Sequence, residues 1–81
     1  MEKQIIIKIL NDINPEIQSY KGNNLILDHI ISSFDIIEII SEIEDRFQID
    51  IDPELITEEH FISMDMIVSF IQDVVNNSRV E

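Results

Sequence analysis

Ser32-Ser33-Phe34-Asp35-Ile36-Ile37-Glu38-Ile39-Ile40-Ser41-Glu42-Ile43-Glu44-Asp45-Arg46-Phe47-Gln48 is the stretch on which the fold turns. Ser32 is followed three residues later by Asp35, a spacing that resembles a capping box with an acid shorter than the usual Glu or Gln. A helix is therefore predicted from Ser32-Ser33 to about Gln48. At 100° per residue, Ile36, Ile39, Ile40, Ile43 and Phe47 fall on a stripe about 100° wide, the core face of a packed helix. Phe34, Ile37, Glu38, Ser41 and Asp45 gather on a second face roughly 150° away, with Glu44 at its border. An apolar pair off the core stripe beside acids has the character of a docking patch. A solvated helix face is the plainer explanation of Glu42, Glu44 and Asp45.

On the N-terminal side, Ile6, Ile9, Leu10 and Ile13 share one helical side, and Pro15 biases Asn14 away from helix, so a helix is expected from Glu2 to Ile13. Ile5-Ile6-Ile7 would also suit a short buried strand, but no second strand-like run with a hairpin turn follows to pair with it. Residues 14–32 hold Pro15, Gly22, Asn23 and Asn24 without a continuous helical period and read as one long connection, although structureless loops beyond about 12–15 residues are uncommon in compact domains unless they carry function. Ile17, Tyr20, Leu25, Leu27 and Ile30 are too many apolar groups to stay in water, so this loop is expected to pack down as a plug.

On the C-terminal side, Ile49-Asp50-Ile51-Asp52-Pro53 alternates and reads as a connection with inward isoleucines. A short helical turn is expected around Thr57 to Phe61. The last helix is predicted from Ser63, its N-cap, to Val75, with Asp65 in the first turn and Met64, Ile67, Val68, Ile71 and Val75 on one face. Arg79 and Val80 are expected to fray. Three main amphipathic helices and a short one make a small all-α bundle, one domain over residues 1–81.

Composition narrows the function. Twenty isoleucines among 81 residues, 44% of them hydrophobic, are too apolar for a disordered acidic tail. A net charge of −12 repels phosphate backbones and anionic lipid, which argues against nucleic acid as a partner and favours basic protein surfaces. The absence of cysteine removes disulfides, thiolate nucleophiles and Cys-ligated metals, so any sulfur chemistry must arrive on a cofactor. No apolar run approaches the eighteen or so residues that span a bilayer, and the N-terminus lacks a cleavage site, so a cytoplasmic chain without membrane insertion is expected. The bundle leaves no second large apolar stripe, and a monomer is expected.

Catalysis finds little support. Asp50, Asp52 and Glu54 mimic the opening of a calcium loop, but Leu55 and Phe61 occupy its sixth and twelfth positions, which rejects an EF-hand. His29 and His60 have no partner at metal or triad spacing, so no metal site and no enzyme are expected. Ser33 at a helix start is by default an N-cap, yet the free N–H groups of a helix N-terminus also suit a phosphodiester on that hydroxyl.

Leu27-Asp28-His29-Ile30-Ile31-Ser32-Ser33-Phe34-Asp35-Ile36-Ile37-Glu38 resembles the prosthetic-group segment of the acyl carrier protein family, which usually reads Asp-Gly-x-x-Asp-Ser-Leu/Phe/Met-Asp. The resemblance continues through Ile43-Glu44-Asp45-Arg46-Phe47 to Ile51, and through Pro53-Glu54-Leu55-Ile56-Thr57-Glu58-Glu59-His60-Phe61-Ile62-Ser63. It implies a four-helix bundle with a long loop between helices one and two. It further implies 4′-phosphopantetheine on Ser33, placed there from coenzyme A by a phosphopantetheinyl transferase using magnesium. The thiol of that arm would hold an acyl or aminoacyl group delivered by a loading ligase, and Phe34, Ile37, Glu38, Ser41, Glu44 and Asp45 match the partner-facing positions. A D-alanyl or other aminoacyl carrier is an alternative within the family, and an unmodified helical interaction module lies outside it. Ser32 stands where the family has Asp, a carboxylate that helps engage the transferase and its metal. His29 stands where it has Gly, which tolerates backbone angles that His reaches at a cost.

Overall fold

Helix formation follows the apolar periodicity, and the computed structural model, which describes residues 2–78, is all-α. It runs α1 (Glu2–Ile13), α2 (Glu16–Ser19), α3 (Ser33–Phe47), 3₁₀ turns at Pro53–Leu55 and Glu58–Phe61, and α4 (Met64–Ser78), with no strand among the described residues. The expected boundaries of α1 and α3 hold within a residue. The fraying expected at Arg79 and Val80 lies outside the described residues.

Residues 14–32 are not one unbroken connection, because α2 interrupts them. Pro15, with φ of −62°, sits in helical geometry at its start, and the Asn14 side chain accepts from the Glu16 N–H at 3.1 Å. One turn suffices to drive Ile17 into the core, where it is 2% exposed. Beyond α2 the loop plugs the bundle as expected. Leu25 and Ile31 are buried, and the Leu25 N–H donates to Ile62 O at 2.7 Å, tying the plug to the segment ahead of α4. The Asn14 side-chain amide donates to Ile30 O at 2.8 Å, joining the start of the loop to its end.

α1 packs against both α3 and α4. Ile6, Ile9 and Leu10 of α1 meet Ile39, Ile40 and Ile43 of α3 in one buried cluster, while Ile36 and Phe47 lie at its margin. Each fully buried aliphatic side chain contributes about 1.5–3 kcal/mol relative to exposure. α4 buries a wider face than predicted, adding Phe70 and Val74, and runs to Ser78 rather than stopping at Val75. No Gly or Pro follows Val75, so nothing in Asn76-Asn77-Ser78 stops propagation. Ser63 caps α4 as expected, its hydroxyl accepting from the Met66 N–H at 3.2 Å.

Between α3 and α4 the chain turns sharply. Gln48 ends α3 in the left-handed region with φ of 56°, and its N–H returns to Glu44 O. Glutamine adopts that conformation at a cost which glycine avoids, so Gln48→Gly is expected to raise stability by about 0.5–1 kcal/mol after glycine's own entropic loss. A higher urea midpoint with an unchanged slope would show it. Ile51 is buried and Ile49 half-buried, as the alternation predicted. The turn at Glu58–Phe61 then places Phe61, 0% exposed, in edge contact with Phe70 at a ring separation of 5.8 Å.

Candidate functional site

The first turn of α3 is built by Ser32, not Ser33. Ser32 has extended backbone angles and closes a full capping box: its hydroxyl accepts from the Asp35 N–H at 3.4 Å, and its own N–H donates to the Asp35 carboxylate at 3.1 Å. The short acid reaches after all. Ser33 is therefore the first helical residue, and reading it as the cap is corrected. Its side chain is exposed and engages no partner among the described residues. The N–H groups of Ser33 and Phe34 precede the first intrahelical bond, Ile36 N–H to Ser32 O at 3.1 Å, and belong to the positive end of the helix dipole.

A cavity of about 300 Å³ opens beside Ser33, with Ile26, Ile31 and Ile36 as its apolar wall and His29 and Glu58 at its polar edge. His29 is exposed and has φ of 62°, so the turn ahead of α3 keeps a left-handed residue at the position where the resembled family has Gly. A single helical turn precedes it, with Asn24 Oδ1 accepting from the Ile26 and Leu27 N–H groups and the Ile30 N–H donating to Leu25 O. Tyr20 braces that turn: its hydroxyl donates to Asp28 and accepts from the Asn24 N–H at 2.7 Å. Partial burial, followed by the Asp28 hydrogen bond, pushes the Tyr20 hydroxyl above its ordinary range.

Along α3 the second face stands as the helical arithmetic placed it. Phe34 is 69% and Ile37 65% exposed, and Glu38, Ser41 and Asp45 are open to solvent on the same side. Glu44 stands at the border of this face, as the arithmetic placed it. It is half-buried, and one carboxylate oxygen accepts from the Ile51 N–H at 2.9 Å, holding the connection after α3 against the helix.

Sequence reasoning missed Leu27. Expected inside the plug, it is 73% exposed, the most exposed large apolar residue described. The signal was Asn24: read as the cap of one helical turn, it sends Leu27 about 200° from the buried Leu25. With Leu27, Phe34 and Ile37 all in the open, apolar surface lies both before and after the Ser33 hydroxyl along the chain. Among the described residues no three His, Asp or Glu side chains converge to hold a metal ion, and no helix is long and apolar enough to cross a membrane. No family model, curated protein or solved structure matches the chain.

Proposed function

We propose that this chain is a discrete acyl carrier protein, with 4′-phosphopantetheine on Ser33 and the acidic face of α3 as its docking surface. The observation that carries the reading is the exposed Ser33 hydroxyl, left without a capping duty because Ser32 has taken it. The fit to the group rests on the same atoms. Unpaired N–H groups of the first turn suit the oxygens of a phosphodiester, and the cavity beside Ser33 leaves room for the start of an arm. When attached, the arm supplies a thiol that a chain without cysteine lacks. Held on Ser33, it would supply the point at which an acyl or aminoacyl group is borne between a loading ligase and later enzymes.

The roles of the chain's own residues are those of presentation. Ser33 holds the arm, Phe34 and Ile37 offer apolar contact to a partner, and Glu38, Ser41 and Asp45 form the polar rim that a basic enzyme surface complements. Glu44 joins this face with one oxygen and fixes the adjoining connection with the other. The test is covalent transfer from coenzyme A in the presence of magnesium and a broad-specificity phosphopantetheinyl transferase: the wild type gains one phosphopantetheine and Ser33→Ala none.

Docking gives a second, independent test. Glu38→Lys combined with Asp45→Lys is expected to slow transfer about tenfold at low ionic strength, with the difference shrinking near 1 M salt, where the Debye length is about 3 Å. Glu44 is left in place so that the connection at Ile51 stays anchored. Equal rates at every salt concentration would make this face a solvated one. A second reading, an unmodified helical interaction module, is favoured by the one departure at the site: Ser32 closes the cap without the carboxylate that the family uses to engage the transferase and its metal.

A further inference from the structure

Three shallow surface depressions follow one another along α3 and beyond it, each sharing lining residues with the next. The first lies over Glu38, Ser41, Glu42 and Asp45. The second shares Ser41 and Asp45 with it and runs past Gln48 and Ile49 to Asp50. The third begins at Asp50 and ends in a cavity of about 370 Å³ between the Asp52–Leu55 segment and the last turns of α4. No Lys or Arg lines any of the three, and three carboxylates line each of them.

The end of this path differs from its beginning. Phe70 and Val74 form an apolar floor, the His60 ring stacks on Phe70 at 4.3 Å and 11°, and Leu55, 47% exposed, stands at the rim. Asp50, Asp52 and Asp73 surround that floor, with Asp52 also accepting from the Glu54 N–H at 2.9 Å. Carboxylates around an apolar, aromatic-backed floor suit a cation with an apolar stem better than a bare ion, and no three of them converge on a metal position.

We propose that this path seats an extended basic segment of a partner protein, with Lys or Arg residues along α3 and one Arg inserted into the Leu55, Phe70 and Val74 cavity. From Glu38 to Gln48 the helix offers about 15 Å, which an extended chain crosses with about five residues. In the cavity the Arg stem lies on Val74 and Leu55, and the guanidinium pairs with Asp73 or Asp50. A second copy of this chain is a poor occupant, because both surfaces would carry the same sign of a net charge of −12. The proposal continues the docking face of the carrier reading and rests on it for the kind of partner, though the binding itself needs no arm on Ser33.

The experiment is an amide chemical-shift titration of the full, unmodified chain with a synthetic octapeptide of arginine and leucine at moderate salt. Leu55, Phe70, Asp73 and Val74 are expected to shift together with Glu38 to Asp50. Asp73→Lys is expected to weaken binding about tenfold, while Glu16→Lys, the same change of charge on exposed α2, leaves affinity within about twofold. If Asp73→Lys disturbs folding, Leu55→Ser serves in its place, with an expected loss of about threefold. Equal weakening by both reversals would reduce the effect to net charge and overturn the proposal. So would shifts confined to Glu38 to Asp45, saturation of the cavity by free arginine amide at the concentration that the peptide requires, or shifts that follow protein concentration without peptide. Failure of Ser33 labelling leaves this titration standing, and failure of the titration leaves the labelling standing.

Discussion

Phe61→Ala is expected to lose about 3–5 kcal/mol of stability, moving its urea midpoint far below that of the wild type. Phe61 is fully buried between the segment preceding α4 and α4 itself, with its ring edge-on to Phe70. Truncating such a ring costs about 3–5 kcal/mol through lost transfer energy and the cavity left behind. A domain of this size holds about 4–12 kcal/mol in all, at 0.05–0.15 kcal/mol per residue. The loss is thus about a quarter of the total at least and all of it at the lower end. Urea titration followed by far-ultraviolet circular dichroism measures it. Leu27→Ala is the matched control: an apolar truncation at a residue 73% exposed, expected within about 0.5 kcal/mol of the wild type. A Phe61→Ala chain as stable as the control would mean that the α4 end of the core is not packed as described.

The legible parts of the fold were those with enough residues to show a period. α3 carries an apolar stripe over four turns and a box at its start, so its core side and its outward side both follow from angular arithmetic, and Phe34 and Ile37 stand in solvent where that arithmetic placed them. α2 was hidden because four residues cannot display a 3.6-residue period; only Pro15 and Asn14 announced it, and both read equally well as loop residues. α4 ran past Val75 because the residues that follow are poor helix formers but not breakers. Leu27 failed for a related reason: hydrophobicity argued for burial, while its direction depended on a local turn capped by Asn24.

At the site, adjacent serines posed the harder question. Either hydroxyl could cap a helix, and the acid three residues on decides between them: Asp35 answers to Ser32, whereas Ser33 is followed at that distance by Ile36. The capping choice and the exposure of the Ser33 hydroxyl are therefore one event. The position of Glu44 was legible only as far as its helix face. Its bond to the Ile51 N–H depends on how the chain returns after Gln48, which no periodicity encodes.

Charge explains the rest of the surface in outline. Seventeen acids against five bases set the sign of the surface, but their arrangement around an apolar floor required the turn at Gln48 and the packing of His60 on Phe70. Neither is visible as a motif.

The second large effect is all-or-none and bears on the central claim, that Ser33 is an attachment point. Intact mass is measured before and after incubation with coenzyme A, magnesium and a broad-specificity phosphopantetheinyl transferase, for the wild type, Ser33→Ala and Ser32→Ala. Because Ser33 caps nothing, Ser33→Ala keeps the box at Ser32 and Asp35 and should fold normally. Ser32→Ala loses the cap at a cost of about 1 kcal/mol but keeps the acceptor. One added phosphopantetheine is expected on the wild type and on Ser32→Ala, and none on a folded Ser33→Ala. A wild-type chain that is folded, carries no arm at the outset and gains none, or a Ser33→Ala chain that gains one, would contradict attachment at Ser33.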